Sequence, residues 1–195
     1  MSGRGGDTAI VILAGGAATR FPGKLERCID GEPMLLRVYR NARATAWPVY
    51  IAGGGSFAPE IAARLDAPAL ADRWPGGGPL RALLSACEAI GYDRVFALAG
   101  DEPRADRTLL EALAAAWQAG DEAVVPEHGG RIEPLAALYA RTAVLRAGRM
   151  AIAWGDDAMR ALVERAKTRF VPVSQSYFVN VNTPEDLRRA MRMSH

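Results

Sequence analysis

The strongest constraint in this 195-residue chain is a run of apolar, largely β-branched residues, Thr8 to Leu13, that gives way at once to Ala14-Gly15-Gly16. A segment apolar at successive positions, rather than at alternate ones, has to be covered on both faces. Such strands belong to parallel sheets with helices on either side. The run therefore points to a buried first strand whose carboxyl end opens into a glycine-rich loop.

The same pattern recurs downstream. Pro33 opens a predicted helix to about Ala46, with Leu35, Leu36, Val38 and Tyr39 facing the core. Val49 to Ala52 reads as a short strand running into Gly53-Gly54-Gly55, and Pro59 to Leu65 as a short helix. A turn-rich stretch from Asp72 to Gly78 precedes a helix from Pro79 to Ile90 and an apolar strand from Arg94 to Ala99. Asp106 is a natural N-cap for an Ala/Leu helix reaching Ala119 and closed by Gly120, and Glu122 to Val125 is the next strand. Strands alternating with helices predict βαβ crossovers. After Pro126 the rhythm changes, with a Gly129-Gly130 turn, a short run from Leu135 to Tyr139, helical stretches to about Lys167, a strand from Phe170 to Val173 and a last helix introduced by Thr183, Pro184 and Asp186. The expectation is a single-domain, Rossmann-like α/β fold: a mostly parallel sheet with helices on both faces and a mixed C-terminal edge.

Length, charge and cysteine usage narrow the class. At 195 residues and 50% hydrophobic content the chain suits one globular domain. A net charge of +2 without basic or acidic blocks gives no sign of a nucleic-acid partner. No apolar run approaches the roughly 18 residues of a membrane span, and the stretch Ala9 to Ala14, approached through Asp7 and followed by Arg20, reads as a strand rather than a secretory core. Cys28 and Cys87 have no partner at ligand spacing, and His128 and His195 stand alone, so free thiols in a reducing compartment and a cytoplasmic location are expected.

In open α/β sheets ligands bind beyond the carboxyl ends of the strands, so the loops after the strands Thr8 to Leu13 and Arg94 to Ala99 carry the most information. The first, Leu13-Ala14-Gly15-Gly16-Ala17-Ala18-Thr19-Arg20-Phe21-Pro22-Gly23-Lys24, combines paired glycines, which let backbone approach a phosphate group, with two cations. It is neither the P-loop nor the dinucleotide fingerprint, because no Gly-Lys-Ser/Thr follows and Ala17-Ala18 break G-x-G-x-x-G. A tight turn alone would have no use for Arg20 and Lys24. Of the 24 basic residues only Lys24 and Lys167 are lysine, which suggests that a compact point charge is wanted in this loop. In the second loop, Ala99-Gly100-Asp101-Glu102-Pro103, Asp101 is the candidate Mg²⁺ ligand, since this hard ion is held by one or two carboxylates plus substrate phosphates. An ordinary turn aspartate is the plainer reading, but Asp106 is better placed to cap the following helix. Glu102 receives no role.

The first loop resembles the nucleotidyltransferase signature L-A-G-G-x-x-x-R-[MF]-G-x-x-K in the branch that includes the molybdenum cofactor guanylyltransferases. Leu13, Ala14, Gly15, Gly16, Arg20 and Phe21 match in place, while Pro22 stands where that branch has Gly and Lys24 comes one residue early. Gly100-Asp101-Glu102-Pro103 is similar to the family's x-D-M-P, with Glu102 for Met. Asp72 to Leu80 is similar to its D-x-x-x-G-P-L loop beside the nucleotide base, and Phe178-Val179-Asn180-Val181-Asn182-Thr183-Pro184-Glu185-Asp186-Leu187 to its F-x-N-[VI]-N-T-P-E-D-L segment. Cytidylyl-transferring relatives tend to carry Asp at the two Asn positions. Glu133-Pro134-Leu135 to Leu138-Tyr139 fits a weaker P-L-x-x-L-Y pattern.

The resemblance implies a nucleotide-diphospho-sugar-transferase-like fold, with residues 1–126 binding nucleotide and 127–195 the acceptor. It implies transfer of GMP from GTP to the terminal phosphate of molybdopterin, with or without molybdenum, with Mg²⁺ as cofactor and molybdoenzyme maturation proteins as possible partners. Arg20, Lys24 and Asp101 would be catalytic, and Asp101 would hold the metal. Leu13, Ala14, Gly15, Gly16, Lys24, Gly53, Asp72 and Asp101 would bind nucleotide. Asn180 and Asn182 would bind the acceptor, with Arg131 and Arg141 as further candidates for its phosphate. An Asp at position 72 can accept from guanine N1–H and N2–H₂ together, a pair the other bases lack, although Gly53 to Gly55 replace the polar residue usual after the second strand. The alternatives are a cytidylyltransferase for molybdopterin or another small phosphorylated acceptor, and a nucleotide-binding module without turnover.

Overall fold

The computed structural model describes residues 7–15, 23–53, 57–75, 77–178 and 185–186. β1 (Thr8–Leu13) pairs in parallel with β4 (Val49–Ala52) on one side and β6 (Arg94–Ala99) on the other. Between β1 and β4 lie a two-stranded hairpin, β2 (Cys28–Ile29) and β3 (Glu32–Pro33), and helix α1 (Met34–Arg43). Short helix α2 (Pro59–Ala62), strand β5 (Ala69–Leu70) and helix α3 (Pro79–Ala89) follow β4, and α4 (Arg107–Ala115) follows β6. Strands β7 (Ala123–His128), β8 (Arg131–Ile132), β9 (Ala136–Ala140) and β10 (Thr168–Pro172) complete a sheet ordered β10-β7-β9-β6-β1-β4-β5, with β8 hairpinned onto β7. Helical segments over 141–153, which include a π-helical turn at Val144–Gly148, and over Met159–Arg165 connect β9 to β10.

The two-sided burial expected of β1 is complete. Ala9, Val11 and Leu13 join one core with α3 and the 141–165 helices, while Ile10, Ile12 and Ala14 join the other with α1 and α4. β6 divides in the same way, Val95 and Ala97 to the first core and Phe96 and Leu98 to the second. This is the period-2 alternation of a strand with helices on both faces.

The mixed C-terminal edge is present: β9 is inserted between β6 and β7, antiparallel to both, and the edge strand β10 runs parallel to β7. Several element bounds are corrected. β7 continues past Val125 through Pro126 to His128, so residues 126 and 127 lie within one strand. α1 stops at Arg43 rather than near Ala46, because Thr45 folds back, its Oγ1 donating to the Ala42 carbonyl at 2.7 Å, and Trp47 turns in to pack on Phe96 at 5.1 Å between ring centroids. α4 stops at Ala115, not Ala119: Asp121 accepts from the Gln118 N–H at 2.9 Å, and Arg169 of β10 reaches both residues, which pulls 118–121 into a turn. The Asp106 cap is present, its Oδ1 accepting from the Leu109 N–H at 3.0 Å. The expected cap of the last helix involves Thr183 and Pro184, which lie outside the described residues.

Candidate active site

Three parallel strands end side by side, and their loops wall one cavity of ≈ 200 Å³. Leu13 ends β1 and Gly15 follows it, Gly53 follows β4, and Asp101 follows β6. Lys24, Asp72, Gly78 and Pro79 also line it. The close approach of two of these loops depends on glycine. A Cβ built on Gly15 would lie 2.0 Å from the Gly53 carbonyl oxygen, and one on Gly53 would lie 2.3 Å from the Gly15 nitrogen. Gly53 also has φ +110, a region L side chains rarely adopt. The glycine that breaks the family pattern at position 53 is thus required by contact with Gly15.

Asp101 is fixed by its turn. The Gly100 N–H donates to the Leu13 carbonyl at 3.0 Å, the Ala99 N–H to the Leu135 carbonyl at 2.8 Å, and Asn41 Nδ2 on α1 to the Pro103 carbonyl at 3.1 Å. Lys24 arrives on a separate 3₁₀ turn, Lys24–Glu26, preceded by left-handed Gly23 and tied down where the Ala58 N–H donates to Glu26 Oε1 at 2.8 Å. Lys24 Nζ and Asp101 Oδ2 form a direct ion pair across the cavity, their side chains only 21% and 16% exposed. Arg27, the other basic residue of this segment within reach of the family lysine position, is exposed and is not among the lining residues.

Asp72 is held by its own loop and by α3. Its Oδ1 accepts from the Trp74 N–H at 2.9 Å and lies 3.5 Å from the Ser85 hydroxyl, while the Arg73 N–H donates to Ser85 Oγ at 3.2 Å. One carboxylate oxygen is thereby engaged within the described residues. Gly78 and Pro79, also in the cavity wall, begin α3, whose N-terminal dipole favours anions.

Glu102 is a group the sequence left without a role. It is buried, with Oε2 unpartnered among the described residues, and burial first, then the Glu133 and Asp101 carboxylates, push its proton affinity well above the ordinary carboxylate value. Glu133 in turn pairs with His128 Nε2 at 2.8 Å, and the His128 ring stacks on Phe178 at 4.8 Å. Nothing in the sequence signals this burial, since Glu beside Asp in a turn usually faces water.

Of the sequence-selected residues, Leu13, Gly15, Lys24, Gly53, Asp72 and Asp101 meet at the cavity. Ala14 is buried beside it, its N–H donating to the Ala52 carbonyl at 2.8 Å. Gly16, Arg20, Asn180 and Asn182 lie outside the described residues. Arg131 and Arg141 are not among the lining residues; Arg141 Nε donates to the Cys87 carbonyl at 2.6 Å. Leu25, Ala82, Ala99 and Leu135 line the cavity without having been selected. Leu25 and Ala99 adjoin chosen residues, Leu135 falls in the weaker P-L-x-x-L-Y pattern, and Ala82 carries no chemical signal.

The model of the MobA-like NTP transferase domain matches residues 10–173. The chain belongs to this family. It is 29% identical to the molybdenum cofactor guanylyltransferase of Pseudomonas putida over 92% of this chain and 95% of the relative. It is 34% identical to the probable molybdenum cofactor guanylyltransferase of Mycolicibacterium paratuberculosis over 91% and 92%. Among solved structures, the molybdopterin-guanine dinucleotide biosynthesis protein A of Archaeoglobus fulgidus superposes with a TM-score of 0.78 at 26% identity, covering 95% of this chain and 98% of that one. A Thermus thermophilus cytidylyltransferase, at 20% identity and a TM-score of 0.69, shares the fold. The protein is a nucleotidyltransferase, and its mixed α/β sheet is that of its structural neighbours.

Proposed function

We propose that this nucleotidyltransferase moves GMP from GTP to the terminal phosphate of molybdopterin, with or without bound molybdenum, and releases pyrophosphate. The observation that carries the reading is the meeting of Lys24 and Asp101 in a cavity bordered by backbone that only glycine permits. The names of the curated relatives supply the nucleotide and the acceptor.

In this reading an acceptor phosphate oxygen attacks the α-phosphorus in line, the new P–O bond forming as the bond to the β-phosphate oxygen breaks, and the electron pair leaves with pyrophosphate. Such chemistry asks the protein for positioning and charge neutralisation. Lys24, with Arg20 and the loop amides, holds the β- and γ-phosphates and offsets the charge of the leaving pyrophosphate. Asp72 reads guanine through its carboxylate. Asn180 and Asn182 contact the acceptor without adding charge. Residues 1–126 would supply most of the nucleotide site and 127–195 the acceptor site, with Leu135 contributing to the shared wall.

The donor set fits Mg²⁺. Asp101 offers hard carboxylate oxygens and already faces a cation, the Lys24 ammonium. Among the described residues there is no cluster of three or more His, Cys, Asp or Glu that could hold a metal ion, and Mg²⁺ commonly takes substrate phosphate oxygens and water alongside one or two carboxylates. Held by Asp101, the ion would supply positive charge that offsets the charge of the nucleotide phosphates.

The test is to incubate the protein with Mg²⁺, molybdopterin cofactor and each NTP in turn while measuring pyrophosphate. Release with GTP alone supports the reading. Release with CTP reassigns the protein as a cytidylyltransferase, and nucleotide binding without release with any NTP would overturn the assignment of the acceptor.

A further inference from the structure

We infer that Lys24 is the resident counter-ion of Asp101, and that a divalent cation gains this carboxylate together with the nucleotide, whose phosphates draw the lysine ammonium away. The inference rests on the nucleotidyl-transfer reading of the same cavity.

The two residues lie 77 positions apart and arrive on separate loops, yet their charges are in direct contact. Both side chains are largely shielded, so the pair is screened less than a surface ion pair. Lys24 sits in the lining, where it faces the space a triphosphate would fill as well as Asp101. A dication placed on Asp101 with the ammonium still in contact would have a like charge a few ångströms away in a partly desolvated cavity. Among the described residues no group of three or more His, Cys, Asp or Glu that could hold a metal ion offers the cation another seat.

The nucleotide resolves the conflict. Its phosphate oxygens offer the ammonium a stronger partner than one carboxylate, and lysine, a compact charge on a flexible four-carbon stem, can exchange one for the other. The carboxylate vacated by the lysine is then available to the metal. Metal and nucleotide affinities are coupled through Lys24, and by linkage each raises the other. In the nucleotide-free protein the same contact keeps Asp101 from standing as a bare, half-buried charge.

The experiment measures Mn²⁺ binding to the full chain without nucleotide, from the electron paramagnetic resonance signal of free Mn²⁺. Wild type is compared with Lys24→Met, Lys24→Arg and the double variant Lys24→Met/Asp101→Asn. Lys24→Met is expected to bind Mn²⁺ about tenfold more tightly than wild type. Lys24→Arg, which keeps the charge, should stay at the wild-type level, and the double variant should lose the gain. A Lys24→Met affinity equal to or below wild type overturns the inference, as does a gain that survives Asp101→Asn. Binding of Mn²⁺–GTP to wild type, measured alongside, separates the two levels of the argument. If it is absent, the nucleotidyl-transfer reading fails. If it is present while Lys24→Met leaves Mn²⁺ affinity unchanged, only the counter-ion role is lost.

Discussion

Gly53→Ala tests whether the cavity is built by backbone contact between two loops. The new methyl would stand 2.3 Å from the Gly15 nitrogen, 2.6 Å from its Cα and 3.3 Å from the Ala14 carbonyl carbon. All three are main-chain atoms, so no side chain can swing aside. Two costs add. An L residue at φ +110 carries conformational strain of about 1–2 kcal/mol, and forcing the Ala14–Gly15 backbone back adds roughly 1–3 kcal/mol of overpacking. The sum, about 2–5 kcal/mol, is large against a typical stability of about 5–15 kcal/mol. Gly31→Ala isolates the first cost, because Gly31 has φ +78 with nothing within 4 Å of its added Cβ. Urea denaturation of both variants gives the difference, and nucleotide titration by calorimetry shows whether the loops have moved. Gly53→Ala should lose at least about 1 kcal/mol more than Gly31→Ala and bind GTP measurably more weakly. Equal losses in the two variants would mean that the loops are not in contact at Gly15.

The other predictions concern side chains. Glu102 holds its proton in the folded state to a higher pH than in the unfolded chain. Its contribution is therefore complete below the ordinary carboxylate value of about 4.3 and is lost as pH rises toward the raised one, at up to about 1.4 kcal/mol per pH unit. Glu102→Met should flatten that part of the stability–pH curve and raise stability at neutral pH by about 1–3 kcal/mol, because a buried acid with one oxygen unpartnered among the described residues is removed. A denaturation series from pH 5 to 9 that shows the same slope in both proteins would contradict this. Asp101→Asn should cut Mg²⁺-dependent pyrophosphate release by at least about 100-fold with thermal stability near wild type; retained activity would remove Asp101 from the metal site. Ser85→Ala should raise KM for GTP about three- to tenfold, the worth of one hydrogen bond, and narrow the preference for GTP over ATP at nearly constant kcat. A fall in kcat alone would place Ser85 outside nucleotide positioning.

The sequence by itself determined what is local. β1, β4 and β6 occupy the expected residues, because a continuous apolar run can satisfy its backbone and bury its side chains only as a strand within a covered sheet. Asp106 caps α4 as read, since an N-cap is settled within one turn. The sequence also picked out Leu13, Gly15, Lys24, Gly53, Asp72 and Asp101, which line one cavity. The tertiary structure decided what depends on residues far apart in the chain. The Ala/Leu helix α4 ends early because Arg169 of β10 captures Gln118 and Asp121, and intrinsic helix preference is worth less than those charged hydrogen bonds. β9 enters the sheet between β6 and β7 because its partners are chosen by sheet order, which no short window of sequence encodes. The tight Gly15–Gly53 contact, the burial of Glu102 and the Lys24–Asp101 pair all arise in the same way, between loops that only the sheet brings together.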